Sequence, residues 1–352
     1  MITADHRAAA SALLDGALVV LPTETVYGLA GRADDSGAVV RIYTVKGRPA
    51  GHPVIVHIAD PNLDPTAPGS WVRDVPDYAR TLAAACWPGP MTLVLPRSSR
   101  ATDDITGGQD TVAIRVPAHP DALAVLRAMD ELDPDGAPHG LAAPSANLFG
   151  QVSPTTMEHA LADLDGLLGS ADLAIDGGPC SVGVESTIVD CTGEQPRILR
   201  PGGIGAADIE RVTGLEVLDS AASGIRVPGA LPSHYAPAAS IALAPDTAAL
   251  EAYVDAAIVG GTAPEAIGVM APTGTPTPEG VIRLIEAPTP EEYARGLYDA
   301  LRRADASGIA FIVAVAPDDE SEGVSTAIAD RLRRASAPRS QLHSPADERS
   351  PR

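Results

Sequence analysis

Lys46 is the only lysine in a chain whose 25 Lys and Arg residues are otherwise all arginine. It stands in residues 45–49 (VKGRP), shortly after residues 22–29 (PTETVYGL). The planar guanidinium of arginine can donate hydrogen bonds to two oxygens at once. Lysine instead carries a compact charge on a flexible side chain, which suits binding of phosphate oxygens. The lone lysine therefore indicates a site that a guanidinium does not serve. The alternative is a chance survivor at a solvated helix end.

Four polar residues form a first candidate cluster, because a strand end, a helix end and the next strand bring them toward one crevice. They are Thr25, Lys46, Arg48 and His57. Polar side chains at strand ends of an open α/β sheet mark the usual ligand site. The two cations could neutralise a triphosphate. Thr25 and His57 could bind a small polar substrate, or they could be a turn residue and a core histidine.

Arg115 interrupts an apolar strand at residues 111–117 (TVAIRVP), and Arg200 precedes Pro-Gly-Gly. A buried arginine needs an anion. For Arg115 that anion is either an internal carboxylate or the carboxylate of a substrate, and the sequence leaves both open. Small hydroxyl residues in Gly/Ala/Pro-rich turns, at 142–147, Ser153 and 183–187, allow close backbone approach to phosphate or ribose, although each is also an ordinary turn residue.

Composition limits the possible functions. The formal charge of −21 argues against a broad nucleic-acid surface, so any polyanion must be small and enter a local basic pocket. The three cysteines lack CxxC spacing, and we expect reduced thiols in the cytoplasm. The sequence has no apolar run long enough to span a membrane and no signal peptide, phosphate-binding P-loop or GxGxxG strand–helix motif.

The helices and strands that must position these residues are predicted to form two α/β units, because a chain of 352 residues is long for one hydrophobic core. In the first unit we predict helices over 3–16, 34–46, 76–86 and 155–164, and strands over 17–21, 53–59, 91–95, 112–116, 141–143, 173–175 and 186–190. In the second we predict strands over 241–244, 266–270, 281–285 and 309–315, alternating with helices over 247–259, 290–306 and 324–335. That alternation predicts a small, doubly wound, mostly parallel sheet.

Six ordered motifs of this chain together resemble YrdC-domain proteins from about residue 5 to 204. They are 22–29, 46–49, 87–92 (WPGPMT), 113–117, 144–147 (PSAN) and 185–188 (ESTI). With the added second unit, the chain is similar to two-domain L-threonylcarbamoyladenylate synthases. The resemblance implies a twisted mixed sheet with helices around a concave site. We divide the chain into a catalytic domain (1–213), a linker or lid (214–238), a Rossmann-like domain (239–337) and a disordered tail (338–352).

The family makes threonylcarbamoyl-AMP from L-threonine, bicarbonate and ATP, releasing pyrophosphate. By resemblance, Lys46 and Arg48 are the catalytic cations. The implied threonine residues are Thr25, His57, Arg115, Ala143 and Ser186. The implied ATP residues are Lys46, Arg48, His52, Thr111, Ser145, Ser153, Arg200, His234 and Tyr235. Mg²⁺ is expected to arrive with ATP rather than on protein side chains, with no tightly bound organic cofactor. The product is expected to pass to a tRNA threonylcarbamoyltransferase complex.

Three features depart from the family's usual residues: His52 stands where Asn is common, residues 227–235 diverge from the usual linker, and Asp330 often is Asn. Two other functions are alternatives. An RNA-binding module is disfavoured by the negative charge and by an aromatic content of 3%. A carbamoyl-transfer enzyme of hydrogenase-maturation or antibiotic type is disfavoured because the extra domains of those proteins are missing.

Overall fold

The computed structural model describes residues 1–49, 51–134, 136, 138–218, 223–229, 235–317 and 323–337. Its larger sheet has ten strands in the order β1-β8-β2-β3-β7-β4-β6-β5-β9-β10. The strands are β1 (Ile2–Thr3), β2 (Val19–Leu21), β3 (Gly28–Arg32), β4 (Ile55–Ile58), β5 (Met91–Pro96), β6 (Thr111–Arg115), β7 (Gly140–Ala142), β8 (Leu173–Ile175), β9 (Thr187–Asp190) and β10 (Arg197–Arg200). The sheet contains both parallel pairs, such as β4/β6, and antiparallel pairs, such as β5/β6, which confirms the predicted mixed sheet.

Seven helices accompany this sheet in the described residues: α1 (His6–Leu14), α2 (Ser36–Lys46), α3 (Asp77–Cys86), α4 (Asp103–Thr106), α5 (Pro120–Leu132), α6 (Met157–Asp163) and α7 (Ala206–Thr213). Helix α2 matters most for function. The carboxylate of Asp35 caps its first turn, and Gly47 ends it in the left-handed conformation at φ 60°. Local sequence thus makes Lys46 the last helical residue.

The second sheet has four strands in the order β11-β14-β12-β13, and each neighbouring pair is parallel. Its elements are β11 (Ser240–Leu243), α8 (Thr247–Val259), β12 (Ile267–Pro272), β13 (Ile282–Ala287), α9 (Pro290–Ala306), β14 (Phe311–Ala314) and α10 (Gly323–Ser336). Helix α8 packs against one face of the sheet, whereas α9 and α10 share a core with side chains of the other face. The doubly wound arrangement is confirmed.

Residues 223–229 cross one face of the larger sheet. Ile225 and Val227 pack there against a cluster that includes Ile55 and Ile188. Arg226 and Gln109 exchange two hydrogen bonds, from the backbone N–H to the side-chain oxygen (2.7 Å) and from the side-chain amide to the backbone carbonyl (3.0 Å). This part of the predicted linker is therefore anchored on the sheet. The rest of the predicted linker at 219–222 and 230–234, and the predicted tail at 338–352, lie outside the described residues.

Six of these strands and helices do not follow from the sequence prediction: β1, β3, β10, α4, α5 and α7. The helix predicted over 3–16 was wrong at its start, because Thr3 belongs to β1 and α1 begins at His6. Strand β3 (GLAGR) contains two glycines, which weaken any strand pattern. Helix α5 does carry local helix signals, with Pro120 at its start and an apolar face that includes Leu126 and Met129. In the described part of the chain, no helix combines the length and apolar character that crossing a bilayer requires.

Candidate active site

A cleft opens on the larger sheet, and residues 228–229 form part of its lining. Nine residues named from the sequence line it: Thr25, Arg48, His57, Ala143, Arg115, Ser145, Ser186, Arg200 and Tyr235. They come from separate parts of the chain. The sheet explains their meeting, because His57 on β4 lies directly opposite Arg115 on β6 in a parallel pair. The turn before β3 and the turn before β9 add Thr25 and Ser186 at the same place.

Arg115 is held by three partners inside the protein. Its Nε donates to the Gly89 carbonyl (3.2 Å), one terminal nitrogen donates to Thr25 Oγ1 (2.9 Å), and the other donates to Glu24 Oε1 (2.7 Å). Burial opposes ionisation of Glu24, but the Arg115 charge and its hydrogen bond bring the pKa of this carboxyl below its usual value. The internal carboxylate that the sequence left open is therefore present.

Arg200 holds the turn that carries Ser186. Its Nε and one terminal nitrogen donate to the Ser186 carbonyl at 3.2 and 2.9 Å, and the latter also lies 3.1 Å from Ser186 Oγ. The other terminal nitrogen donates to the Pro228 carbonyl at 3.1 Å. Ser186 Oγ is also 2.8 Å from Thr92 Oγ1. The Arg200 guanidinium thus joins the turn at Ser186 to the segment at residues 228–229.

Lys46 and Arg48 extend the basic side of the cleft. Lys46 is buried behind the wall, and its ammonium donates to the carbonyls of Ser145 and Asn147. Burial, followed by repulsion from Arg48, lowers the pKa of Lys46 well below its usual value. Arg48 donates to the Pro53 carbonyl at 2.7 Å, while its Nε has no hydrogen-bond partner among the described residues.

Three of these cations have no ion pair in the part of the chain that the structure describes. Within the described residues, Lys46, Arg48 and Arg200 form no ion pair with a carboxylate, whereas Arg115 does. All three are at most 9% exposed. A buried positive charge is costly unless an anion accompanies it. Although the net charge of the chain is −21, the protein therefore has a small cationic pocket. Lys46, Arg48 and Arg200, which form no ion pair within the described residues, are three of the residues expected to bind the ATP phosphates.

His57 is electrically neutral in this setting. Burial and the nearby Arg115 lower the pKa of its imidazole to about 3. Its Nδ1 has no hydrogen-bond partner in the part of the chain that the structure describes. His57 can therefore offer a neutral ring to a ligand, and it is not a cation at physiological pH.

Besides Lys46, three residues named from the sequence are not on the cleft wall: His52, Thr111 and Ser153. His52 lies beside Phe149, with ring centroids 5.5 Å apart, and Thr111 begins β6 on the strand's far end from Arg115. Ser153 is fully buried and donates to Glu185 Oε1 at 2.6 Å, so it reaches the cleft only through that carboxylate. His234 lies outside the described residues.

Several residues of the site received no role from the sequence. Glu24 and Glu185 stand inside quoted motifs, and their position beside Thr25 and Ser186 was the available signal. Tyr298 and Arg331, from the second domain, bind Glu185 at 2.8 and 2.7 Å. Nothing local in the sequence marks these two long-range partners.

A mixed-sheet domain with a cation-lined cleft, covered by a linker and joined to a parallel α/β domain, defines a two-domain YrdC-type nucleotidyltransferase. A family model described as Telomere recombination matches residues 11–202, and one described as Threonylcarbamoyl-AMP synthase, C-terminal domain, matches residues 204–337. The chain belongs to the threonylcarbamoyl-AMP synthase family.

Individual relatives agree along nearly the whole length. The threonylcarbamoyl-AMP synthase of Pyrococcus abyssi is 38% identical over 338 residues, covering 94% of this chain and 93% of the relative. That of Bacillus subtilis is 39% identical over 339 residues, covering 94% and 92%. The crystal structure of P. abyssi Sua5 complexed with L-threonine matches with a TM-score of 0.80 at 37% identity, covering 94% of both chains.

Proposed function

We propose that this enzyme makes threonylcarbamoyl-AMP from L-threonine, bicarbonate and ATP with release of pyrophosphate. This is the first step of tRNA threonylcarbamoyladenosine formation. One observation carries the proposal: within the described residues, Arg48 and Arg200 line the cleft without an ion-pair partner, while the third cation of the wall, Arg115, is already paired with Glu24. A triphosphate supplies the missing negative charge, because its oxygens can accept from several N–H donors at once.

ATP binds on the side of Arg48 and Arg200. Both guanidiniums line the cleft and can fork onto phosphate oxygens. Lys46 acts from behind by fixing the carbonyls of Ser145 and Asn147, which shapes the turn that presents the Ser145 side chain. The covering residue Tyr235 closes this side. His52, Thr111, Ser153 and His234 remain part of the proposed ATP region, with Ser153 acting through Glu185.

L-threonine binds on the side of Arg115. Within the described residues, three of the five N–H groups of this guanidinium have partners, which leaves two for the amino-acid carboxylate. Thr25, neutral His57, Ser186 and the backbone at Ala143 surround the same space. The crystal structure of the P. abyssi relative with L-threonine supports this substrate class.

The chemistry needs positioning more than a dedicated nucleophile. The threonine amine takes up bicarbonate to form a carbamate with loss of water. A carbamate oxygen then bonds to the α-phosphorus of ATP, and the bond from that phosphorus to the pyrophosphate oxygen breaks. Holding the two reactants together and neutralising the charge on the phosphates supply most of the acceleration. Arg48 and Arg200 are placed to neutralise the charge on the phosphates.

Among the described residues, Glu185 is the carboxylate that lines the cleft, and it is paired with Arg331; Glu24, next to Thr25, is paired with Arg115. This donor set does not fit a protein-held metal, so we propose that Mg²⁺ arrives on the ATP phosphates, where it neutralises charge. We propose no tightly bound organic cofactor. The product would pass to a tRNA threonylcarbamoyltransferase complex in the cytoplasm, without strong direct binding of this chain to nucleic acid.

The test is pyrophosphate release by the full chain with ATP and Mg²⁺, omitting L-threonine and bicarbonate in turn, with the adduct identified by mass spectrometry. We expect release to require both substrates and to match adduct formation one to one. Release that is independent of threonine, or a different adduct, would refute the proposal.

A further inference from the structure

The Glu185 carboxylate is shared between the two domains. Its Oε1 accepts from Ser153 Oγ at 2.6 Å, inside the first domain. Its Oε2 accepts from the Tyr298 hydroxyl on α9 at 2.8 Å and from Arg331 Nε on α10 at 2.7 Å. Glu185 lines the cleft and immediately precedes Ser186. The second domain therefore acts one residue away from a proposed substrate contact.

Arg331 makes a second connection to the cleft through Tyr235. Its guanidinium carbon lies 5.2 Å from the centre of the Tyr235 ring, and that ring lies 5.6 Å from the ring of Tyr298. The same guanidinium donates to Asp330 at 2.6 Å and to the Pro201 carbonyl at 3.0 Å. Arg331 is only 1% exposed. One buried side chain thus contacts both Glu185 and the residue that covers the cleft.

Docking of the domains does not depend on this contact alone. Arg302 on α9 pairs with Asp163 on α6 at 2.6 Å, and Arg295 donates to the Ser181 carbonyl at 3.1 Å. Val26, Val152 and Val184 of the first domain are also buried in the core of the second. A role limited to joining the domains would leave Arg331 and Tyr298 without a reason to converge on Glu185.

We infer that Arg331 and Tyr298 are positioning residues of the active site, through which the second domain orients Ser186 and Tyr235 around the substrates. The inference rests on the proposed function and deepens it. The Ser153 hydroxyl has one proton and donates it to Glu185, so Ser153 belongs to this support and does not donate to a phosphate. Because Arg200 binds Ser186, loosening Glu185 also disturbs the cation expected to face ATP.

The experiment compares Tyr298→Phe and Arg331→Gln with Arg334→Gln in the full chain. Arg334 also binds Asp330, one turn further along α10, and serves as the matched control. Removing a hydrogen bond to a charged group is expected to lower kcat about tenfold in Tyr298→Phe and more in Arg331→Gln, with Arg334→Gln within about twofold of the parent. Thermal unfolding of each variant is measured alongside, and Arg331→Lys is added if Arg331→Gln does not fold.

Hydrogen–deuterium exchange gives a readout that does not require activity. We expect faster amide exchange at residues 185–188 and 223–229 in Tyr298→Phe and in the folded Arg331 variant, but not in Arg334→Gln. Variants that lose thermal stability while kcat stays unchanged would overturn the positioning role. Unchanged amide exchange at both segments would overturn the positioning role, whether or not the parent enzyme is active. A parent that releases no pyrophosphate would separately refute the proposed function.

Discussion

Arg115 donates a 2.7 Å hydrogen bond to the carboxylate of Glu24, ninety-one residues earlier in the chain, and both side chains are buried. Glu24 Oε2 in turn accepts from the Ala118 backbone N–H at 3.0 Å. The guanidinium is therefore fixed in direction before any substrate arrives. A ligand carboxylate meets a pre-oriented donor, which reduces the entropy cost of binding.

Arg115→Lys should weaken L-threonine binding at least about tenfold while changing ATP binding little, because lysine keeps a charge for Glu24 but loses the planar fork. Isothermal titration calorimetry with each ligand measures this. Arg7→Lys, at an exposed ion pair with Glu131, is the matched control. Equal losses for both ligands would make Arg115 a structural residue of the Glu24 pair.

Lys46→Arg should abolish most turnover, because the larger planar group does not fit where the ammonium donates to two converging carbonyls at full burial. Lys46→Met, which keeps the length without the charge, should also be inactive. Pyrophosphate release measures both, and circular dichroism checks the fold. Parental turnover in Lys46→Arg would show that the lone lysine is a chance survivor.

Gly229→Ala should displace the cover of the cleft. Gly229 has φ 75°, and a Cβ there would lie 2.2 Å from the Tyr235 hydroxyl. A reactive mixed anhydride then loses its shelter from water, so adduct per pyrophosphate should fall. Gly224→Ala is the control in the same segment, since a Cβ there has no heavy atom within 4 Å. Mass spectrometry with a pyrophosphate assay gives the ratio. A ratio unchanged in Gly229→Ala would rule out the lid.

Gly202→Ala should damage the Ser186 turn. A Cβ at this position would lie 2.2 Å from the Thr187 nitrogen and 2.6 Å from the Ser186 carbonyl carbon, so backbone must move. We expect a loss of about 1–3 kcal/mol in unfolding free energy together with lower turnover. At the neighbouring Gly203 the nearest atoms are 3.7 Å away, and Gly203→Ala should be near neutral. Denaturant unfolding of both variants checks the contrast.

Glu185→Gln should change how stability depends on pH. Although burial opposes ionisation, Arg331 and Arg200 lower the pKa of Glu185 from 4.5 to about 2. A carboxyl with a depressed folded-state pKa stabilises the fold above its unfolded pKa, and this contribution disappears as pH falls from about 4.5 to about 2. The parent should therefore exceed Glu185→Gln in stability at pH 7, with the gap narrowing below pH 4.5. Denaturant unfolding across pH measures it, and a constant gap would contradict the shift.

The sequence by itself determined most of the local structure and the identity of the cleft residues. Helix signals placed Lys46 at the end of α2, and strand patterns placed His57 and Arg115 on two strands, whose pairing only the structure shows. The second sheet followed from alternating strands and helices. These features could be predicted because capping, periodicity and turn chemistry act over a few residues. The glycine-rich strand β3 could not be predicted, because its hydrophobic pattern is too weak to distinguish it from a turn.

Only the tertiary structure decided which charges are paired. The Arg115–Glu24 and Arg331–Glu185 contacts join residues 91 and 146 positions apart. The tertiary structure also buries Lys46 and Ser153 behind the cleft wall and places Tyr235 in the lining of the cleft. A buried charge takes whichever partner the packing of distant elements places within hydrogen-bond distance, and sequence spacing carries no record of that distance.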